Sequence, residues 1–290
     1  MSQPGKNSIP KFIDALRTWL PAPATSVAVI QSIGQDMVDI SLMLDDVQDD
    51  SELRRGSPAA HVVYGRSQTI NSAIYSLMKV ADRLGQLQDE KCRDIFYEES
   101  RNLCVGQGLD LHWRQHVQCP SIQEYITMVD NKTGSFFRLV TRLVVAETAE
   151  PPNSVNLFQF ITLLGRYYQI RDDYQNLASE EYTTKKGFCD DLSEGKFSLP
   201  MIHFLQNAPS KTVDQARGLI FHGIDSDSKR PLDLDSKRWI LSEMKKAGSL
   251  EYSYNVLKDM HEAMSTMFSD LEAELGESSK LKTFLLRLQL

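Results

Sequence analysis

The 290-residue chain has four cysteines, Cys92, Cys104, Cys119 and Cys189, and none form a CxxC pair or a metal-ligand spacing. This excludes a disulfide framework or a thiolate zinc site as the organiser of the fold. Core thiols in a reducing, cytoplasmic compartment are the simplest reading. Positive charge is also scarce: 32 Lys and Arg stand against 39 Asp and Glu, a net charge of −7. No global basic field is there to draw in nucleic acid. Mean hydropathy is −0.33. No uncharged run approaches the roughly 18–20 apolar residues that span a bilayer, so no transmembrane segment is expected. The opening MSQPGKNSIPKF lacks the apolar stretch of a secretory signal. Alternating strand patterns, fixed-period repeats and low-complexity tracts are likewise missing.

What is present is helical patterning. Hydrophobic residues make up 41% of the chain, enough for a sizeable core. Residues 26–50 place Val27, Ile30, Ile33, Met37 and Ile40 near a 3.6-residue period. Residues 67–84, 89–112, 121–149, 154–176, 192–206, 235–247 and 249–274 read the same way. Proline and glycine fall mainly between these runs, and the polar, proline-broken segment 223–236 reads as a surface loop. The expectation is one all-α domain over residues 1–290.

Two acidic clusters break this pattern. At the end of the first run stands DDVQD, residues 45–49. Asp45 and Asp49 are one helical turn apart, with Asp46 beside them. Three carboxylates so close repel one another unless a cation binds, and oxygen-only ligands suit a hard ion such as Mg²⁺. Residues 169–177, QIRDDYQNL, repeat the theme: Asp172 and Asp173 close a second apolar helical run. Two such clusters facing each other could hold Mg²⁺ ions, and the ions a diphosphate. The basic residues suit that ligand. Arg54 and Arg55 follow the first cluster, Arg171 precedes Asp172, and Lys132, Lys186 and Lys196 lie in short segments beside glycines.

In these features the chain resembles the trans-isoprenyl diphosphate synthases, most closely the geranylgeranyl diphosphate synthase branch of fungi and animals. The resemblance is carried by DDVQD, LRRG (53–56), QTINSA (68–73), GQGLD (106–110), KTG (132–134), QIRDDYQNL and FCDDLSEGKFS (188–198). It implies a helical bundle around a deep apolar pocket, a homodimer, and three Mg²⁺ ions bridging carboxylates and diphosphate at the pocket mouth. It also implies that Asp45, Asp46, Asp49, Asp172 and Asp173 hold the metal. Arg54, Lys132 and Lys196 would grip the allylic diphosphate donor, with Lys186 nearby, and Thr133 and Gln169 would steady the allylic cation. Ile40 and Ser41, five and four residues before Asp45, would face down the pocket; neither is aromatic, so a C20 chain can pass.

The departures from the family fall on one side. In the synthases the second substrate, isopentenyl diphosphate, is gripped by a Gly-Lys-x-x-Arg, by a histidine seven residues before the first aspartate, and by the second arginine of LRRG. In this chain Lys6 and Arg55 remain, but Ile9 replaces the arginine and Val38 the histidine. Two lost hydrogen bonds to a charged group cost about 3–6 kcal/mol, or about 10²–10⁴ in binding. The donor half is thus kept and the acceptor half rebuilt. The fungal indole-diterpene geranylgeranyltransferases fit this pattern: they pass a C20 chain to indole-3-glycerol phosphate, giving 3-geranylgeranylindole. The alternatives are a chain-elongating geranylgeranyl diphosphate synthase that uses farnesyl and isopentenyl diphosphates, a class I terpene cyclase with pocket aromatics among Phe136, Phe137, Phe158, Phe160, Tyr167 and Tyr168, and a non-catalytic partner subunit.

Overall fold

The computed structural model describes residues 8–152, 155–179, 187–221 and 232–290. Fourteen α-helices make up nearly all of its regular structure, so the all-α expectation holds. They are α1 (Ser8–Leu16), α2 (Ala24–Asp49), α3 (Ala60–Tyr64), α4 (Arg66–Arg83), α5 (Lys91–Gln115), α6 (Ile122–Lys132), α7 (Gly134–Ala146), α8 (Val155–Ala178), α9 (Asp190–Glu194), α10 (Leu199–Asn207), α11 (Ser210–Ile220), α12 (Leu234–Lys246), α13 (Ser249–Leu275) and α14 (Ser279–Leu286). The one sheet among the described residues is a two-residue antiparallel hairpin, β1 (Leu53–Arg54) and β2 (Ser57–Pro58). Most of the surface-loop reading at 223–236 falls outside the described residues.

Helix α2 packs against α1, α4 and α7. Its buried positions, including Val27, Ile30, Ile33, Gly34, Met37 and Ile40, lie three or four residues apart in the helical rhythm. It stops at Asp50, whose left-handed conformation (φ 58°, ψ 34°) turns the chain and returns its N–H to the Asp46 carbonyl. The expectation that no segment could span a bilayer needs correcting. This 26-residue helix contains an 18-residue window of mean hydropathy 1.3, long and apolar enough by length and composition. Requiring an unbroken apolar run hid it, because a window of that mean hydropathy tolerates polar residues and a charge or two. In this fold the apolar face is the core packing of α2, and its last turn carries the first acidic cluster.

Close helix crossings set the geometry around that turn. A Cβ on Gly106 of α5 would stand 2.8 Å from the Lys132 Cα, so only glycine lets α5 press against the end of α6. On Gly165 of α8 it would meet the Gly134 Cα at 2.9 Å. The 121–149 run is also not one helix. It breaks between α6 and α7 at Thr133, and this break brings Lys132 and Thr133 to the site.

Candidate active site

The ends of α2, α5, α6 and α8 converge with the β-hairpin and α9 on a cavity of about 460 Å³. It is lined by Ile9, Val38, Asp45, Asp49, Arg54, Arg55, Lys132, Thr133, Gln169, Asp172 and Lys196. Residues far apart in sequence are therefore gathered as the sequence reading requires. Asp46 and Asp173 do not line the cavity; they sit behind it, 3% and 0% exposed. Lys6 and Lys186 lie outside the described residues.

A helix explains the division within each Asp-Asp pair. Consecutive residues point about 100° apart, so one member faces the cavity and its neighbour the interior. The inner members are bound to the cations of the site. Asp46 Oδ1 accepts from Arg54 Nε at 2.7 Å and also from the terminal guanidinium nitrogen of Arg54. Asp173 accepts from Lys196 Nζ at 2.7 Å, Tyr125 Oη at 2.7 Å and Gln169 Nε2 at 2.9 Å. Burial opposes charge on Lys196, but Asp173 and Asp191 overcome it and hold its pKa well above the ordinary lysine value. Thr133 donates its hydroxyl to Gln169 Oε1, so two residues assigned to the cation are locked together.

The outer carboxylates face the cavity. Asp45 lies 3.3 Å from Lys132 Nζ and accepts from Gln107 Nε2 at 3.2 Å. Asp49 accepts from an Arg114 terminal nitrogen at 2.5 Å. Burial, with the Asp45 and Glu194 carboxylates nearby, pushes the Asp49 carboxyl up to about 7 against the pull of Arg114 and Lys132. Burial would also raise Asp110, 3% exposed, but Lys132, Arg114 and Lys196 outweigh it and hold that carboxyl below its ordinary value.

Among the described residues no three carboxylate, histidine or cysteine side chains stand close enough to form an ion site by themselves. The donor set still suits Mg²⁺. Asp45, Asp49 and Asp172 offer only oxygen to the cavity, and Mg²⁺ ordinarily takes one or two carboxylates, completing its shell with water and phosphate.

Several residues escaped the sequence reading. Gln107 and Asp110 were inside GQGLD, and Asp191 and Glu194 inside FCDDLSEGKFS, but none had been given a role; Arg114 carried no signal at all. Ser41 lines the cavity, whereas Ile40 is buried in the core. Tyr75 and Met78 of α4 do not line the cavity and are exposed at 65% and 54%. Of the aromatic set, Phe136, Phe137 and Tyr168 line the cavity. Phe160 and Tyr167 are core, with Tyr167 Oη donating to the Leu288 carbonyl at 3.0 Å. Arg171 does not line the cavity.

Comparison with known proteins converges with this geometry. The chain is 46% identical to preaspterpenacid I synthase of Aspergillus terreus over 98% of its own length and 36% of that protein's. It is 43% identical to quiannulatene synthase of Emericella variicolor, covering 99% of the chain and 38% of the relative. It thus spans little more than a third of these two relatives. It is also 43% identical to geranylgeranyl pyrophosphate synthase 3 of Zymoseptoria tritici over 98% of the chain and 77% of that protein. The family profile described as polyprenyl synthetase matches residues 1–228, and together with the 77% coverage of the Zymoseptoria synthase it establishes that the chain belongs to the polyprenyl synthetase family of prenyl-transferring enzymes.

Proposed function

We propose that this chain is a Mg²⁺-dependent prenyltransferase. It ionises an allylic diphosphate, geranylgeranyl diphosphate in the fullest form of the reading, and passes the chain to an acceptor held against Ile9 and Val38. The acceptor that suits this wall is indole-3-glycerol phosphate, whose flat ring is apolar and whose single phosphate Arg55 can meet. One observation carries the reading: Ile9 and Val38 line the same cavity as the carboxylates and cations. The two substitutions therefore change the site itself and are not remote drift. Phe137 and Tyr168, ring centroids 5.5 Å apart, add aromatic surface to that cavity.

Bound Mg²⁺ supplies the charge that lets the allylic C–O bond ionise. Asp45, Asp49 and Asp172 offer it oxygens. Arg54, Lys132 and Lys196 stay protonated and receive the departing diphosphate. Asp46 and Asp173 hold Arg54 and Lys196 in place from behind. Gln169 and Thr133 present oxygens to the allylic carbon, and Leu42, Leu103, Leu111, Phe136 and Phe137 keep water from the cation.

A second reading is elongation with isopentenyl diphosphate, favoured by the likeness to the Zymoseptoria synthase. The two are separated by incubating the chain with Mg²⁺ in parallel tubes. One holds geranylgeranyl diphosphate and indole-3-glycerol phosphate, the other farnesyl and isopentenyl diphosphates, and products are read by mass. A geranylgeranylindole mass with little elongation supports the rebuilt acceptor site. Efficient C20 elongation without indole product overturns it, and a hydrocarbon made from donor alone points to cyclisation.

A further inference from the structure

We infer that Arg114 is a positioning residue that orients Asp49 for metal binding without touching substrate. The inference rests on the reading of Asp49 as a Mg²⁺ ligand. Helix α5 presents Gln107, Asp110 and Arg114 at i, i+3 and i+7, one stripe facing the acidic end of α2. Asp110 and Arg114 are 3% and 8% exposed. Arg114 lies outside the cavity lining while Asp49 is part of it, so the guanidinium meets the carboxylate from behind.

The plainest alternative is that Arg114 only neutralises buried Asp110, its own i−4 neighbour. The distances argue otherwise. Arg114 Nε stays 3.5 Å from Asp110 Oδ1 and makes no hydrogen bond, while a terminal nitrogen donates to Asp49 Oδ1 at 2.5 Å. The directed bond goes to Asp49, and Asp110 supplies the charge that keeps the guanidinium at that depth. Asp110 Oδ2 also accepts from Lys132 Nζ at 2.7 Å. One buried carboxylate therefore anchors both the lysine on the donor side and the arginine behind Asp49, in the order Lys132, Asp110, Arg114, Asp49. With Oδ1 fixed, the carboxylate of Asp49 cannot swing away from the cavity. This is how outer partners tune metal ligands, and their removal typically costs 10–100-fold in metal affinity.

The test uses the whole chain with Mn²⁺ as an oxygen-seeking probe, the free ion being read by its electron paramagnetic resonance signal. Arg114→Gln should weaken Mn²⁺ binding by roughly 10–100-fold, and Arg114→Lys should recover part of the loss. Asp49→Asn, run in parallel, should weaken binding at least as much as Arg114→Gln. In turnover assays the Mg²⁺ half-saturation of Arg114→Gln should rise by more than the donor KM. A folded Arg114→Gln chain with parental Mn²⁺ affinity, alongside a weakened Asp49→Asn, overturns the inference and leaves the metal reading standing. If Asp49→Asn binds Mn²⁺ like the parent, the metal reading fails and the inference with it. Should Arg114→Gln not fold, Arg114→Lys decides: it keeps the charge beside Asp110 but loses the two-armed reach. Parental affinity then overturns the inference, and a several-fold loss supports it.

Discussion

At the scale of single residues, the paired aspartates have different physical work, and substitution should separate it. Asp173 is wholly buried and holds Lys196. Asp173→Asn leaves that ammonium short of its main counter-charge, so it should cost about 3–5 kcal/mol of stability, read as a lower urea midpoint. Asp172 lines the cavity, and Asp172→Asn should leave the unfolding free energy within about 1 kcal/mol of the parent while abolishing Mg²⁺-dependent turnover. Equal stability losses in the two variants would sink this division. The thiols separate in the same way. Burial, with Glu147 and Asp89 close by, pushes Cys92 up to about 12, and burial pushes Cys189 up to about 11. The folded state thus keeps protons that the unfolded chain gives up near pH 8.5, so their contribution to stability is full below about pH 8.5 and is lost as pH rises toward 11 and 12. Cys104, in contrast, is exposed and lines the cavity. At pH 8 iodoacetamide should label Cys104 ahead of Cys92 and Cys189, and Mg²⁺ with pyrophosphate should slow it, as peptide mass mapping would show. The first motif was legible residue by residue because two aspartates one turn apart after an apolar run violate ordinary core patterning. Arg114 was not, because one arginine on an amphipathic helix looks like any solvated charge until the fold shows it buried.

At the scale of elements, the helices were read from their apolar period, and what was missed lies in the junctions and short helices that this period does not mark. Residues 121–149 read as one helix because the apolar face of α6 continues in phase into α7. The break at Thr133 depends on a threonine–glycine junction and on tertiary contacts that no period records. Helices α1, α3, α11 and α14 lay outside the runs read as helical, and the run 192–206 divides between α9 and α10. The same junction makes a prediction about how elements place chemistry. Gly106→Ala would drive a methyl group into the backbone of Asn131 and Lys132, where no flexible side chain can yield. Overpacking of this kind typically costs about 1–3 kcal/mol. Here the displaced backbone carries Lys132, so donor affinity should fall as well. Gly108→Ala on the same helix meets nothing within 4 Å of protein and serves as the control for stability, though not for donor KM because Gly108 lines the cavity. A Gly106→Ala chain with parental melting temperature and parental donor KM would contradict this account.

At the scale of the whole molecule, one side of the fold carries a row of exposed apolar side chains. Ile70, Ile74 and Met78 form an i, i+4, i+8 stripe along α4, and Tyr75 stands beside them, all exposed. Val62, Val63 and Tyr64 of α3 are exposed as well, as are Tyr97 and Val105 of α5. An exposed apolar stripe such as that on α4 marks an interaction surface more often than a solvated one. A second copy of the chain is the partner that the resemblance implies, and a two-fold contact places the same stripe on both sides. Light scattering after gel filtration should therefore give twice the chain mass. Ile74→Lys combined with Met78→Lys puts a charge of one sign on each side of the two-fold and should yield the single-chain mass. On the proposed reading, in which Asp45, Asp49 and Asp172 of one chain hold the metal, that variant should still bind Mn²⁺. A parent protein that runs at the single-chain mass at micromolar concentration would remove the dimer from this picture. A monomeric variant that has lost Mn²⁺ binding would instead show that the second copy holds the ends of α2 and α5 in their working geometry.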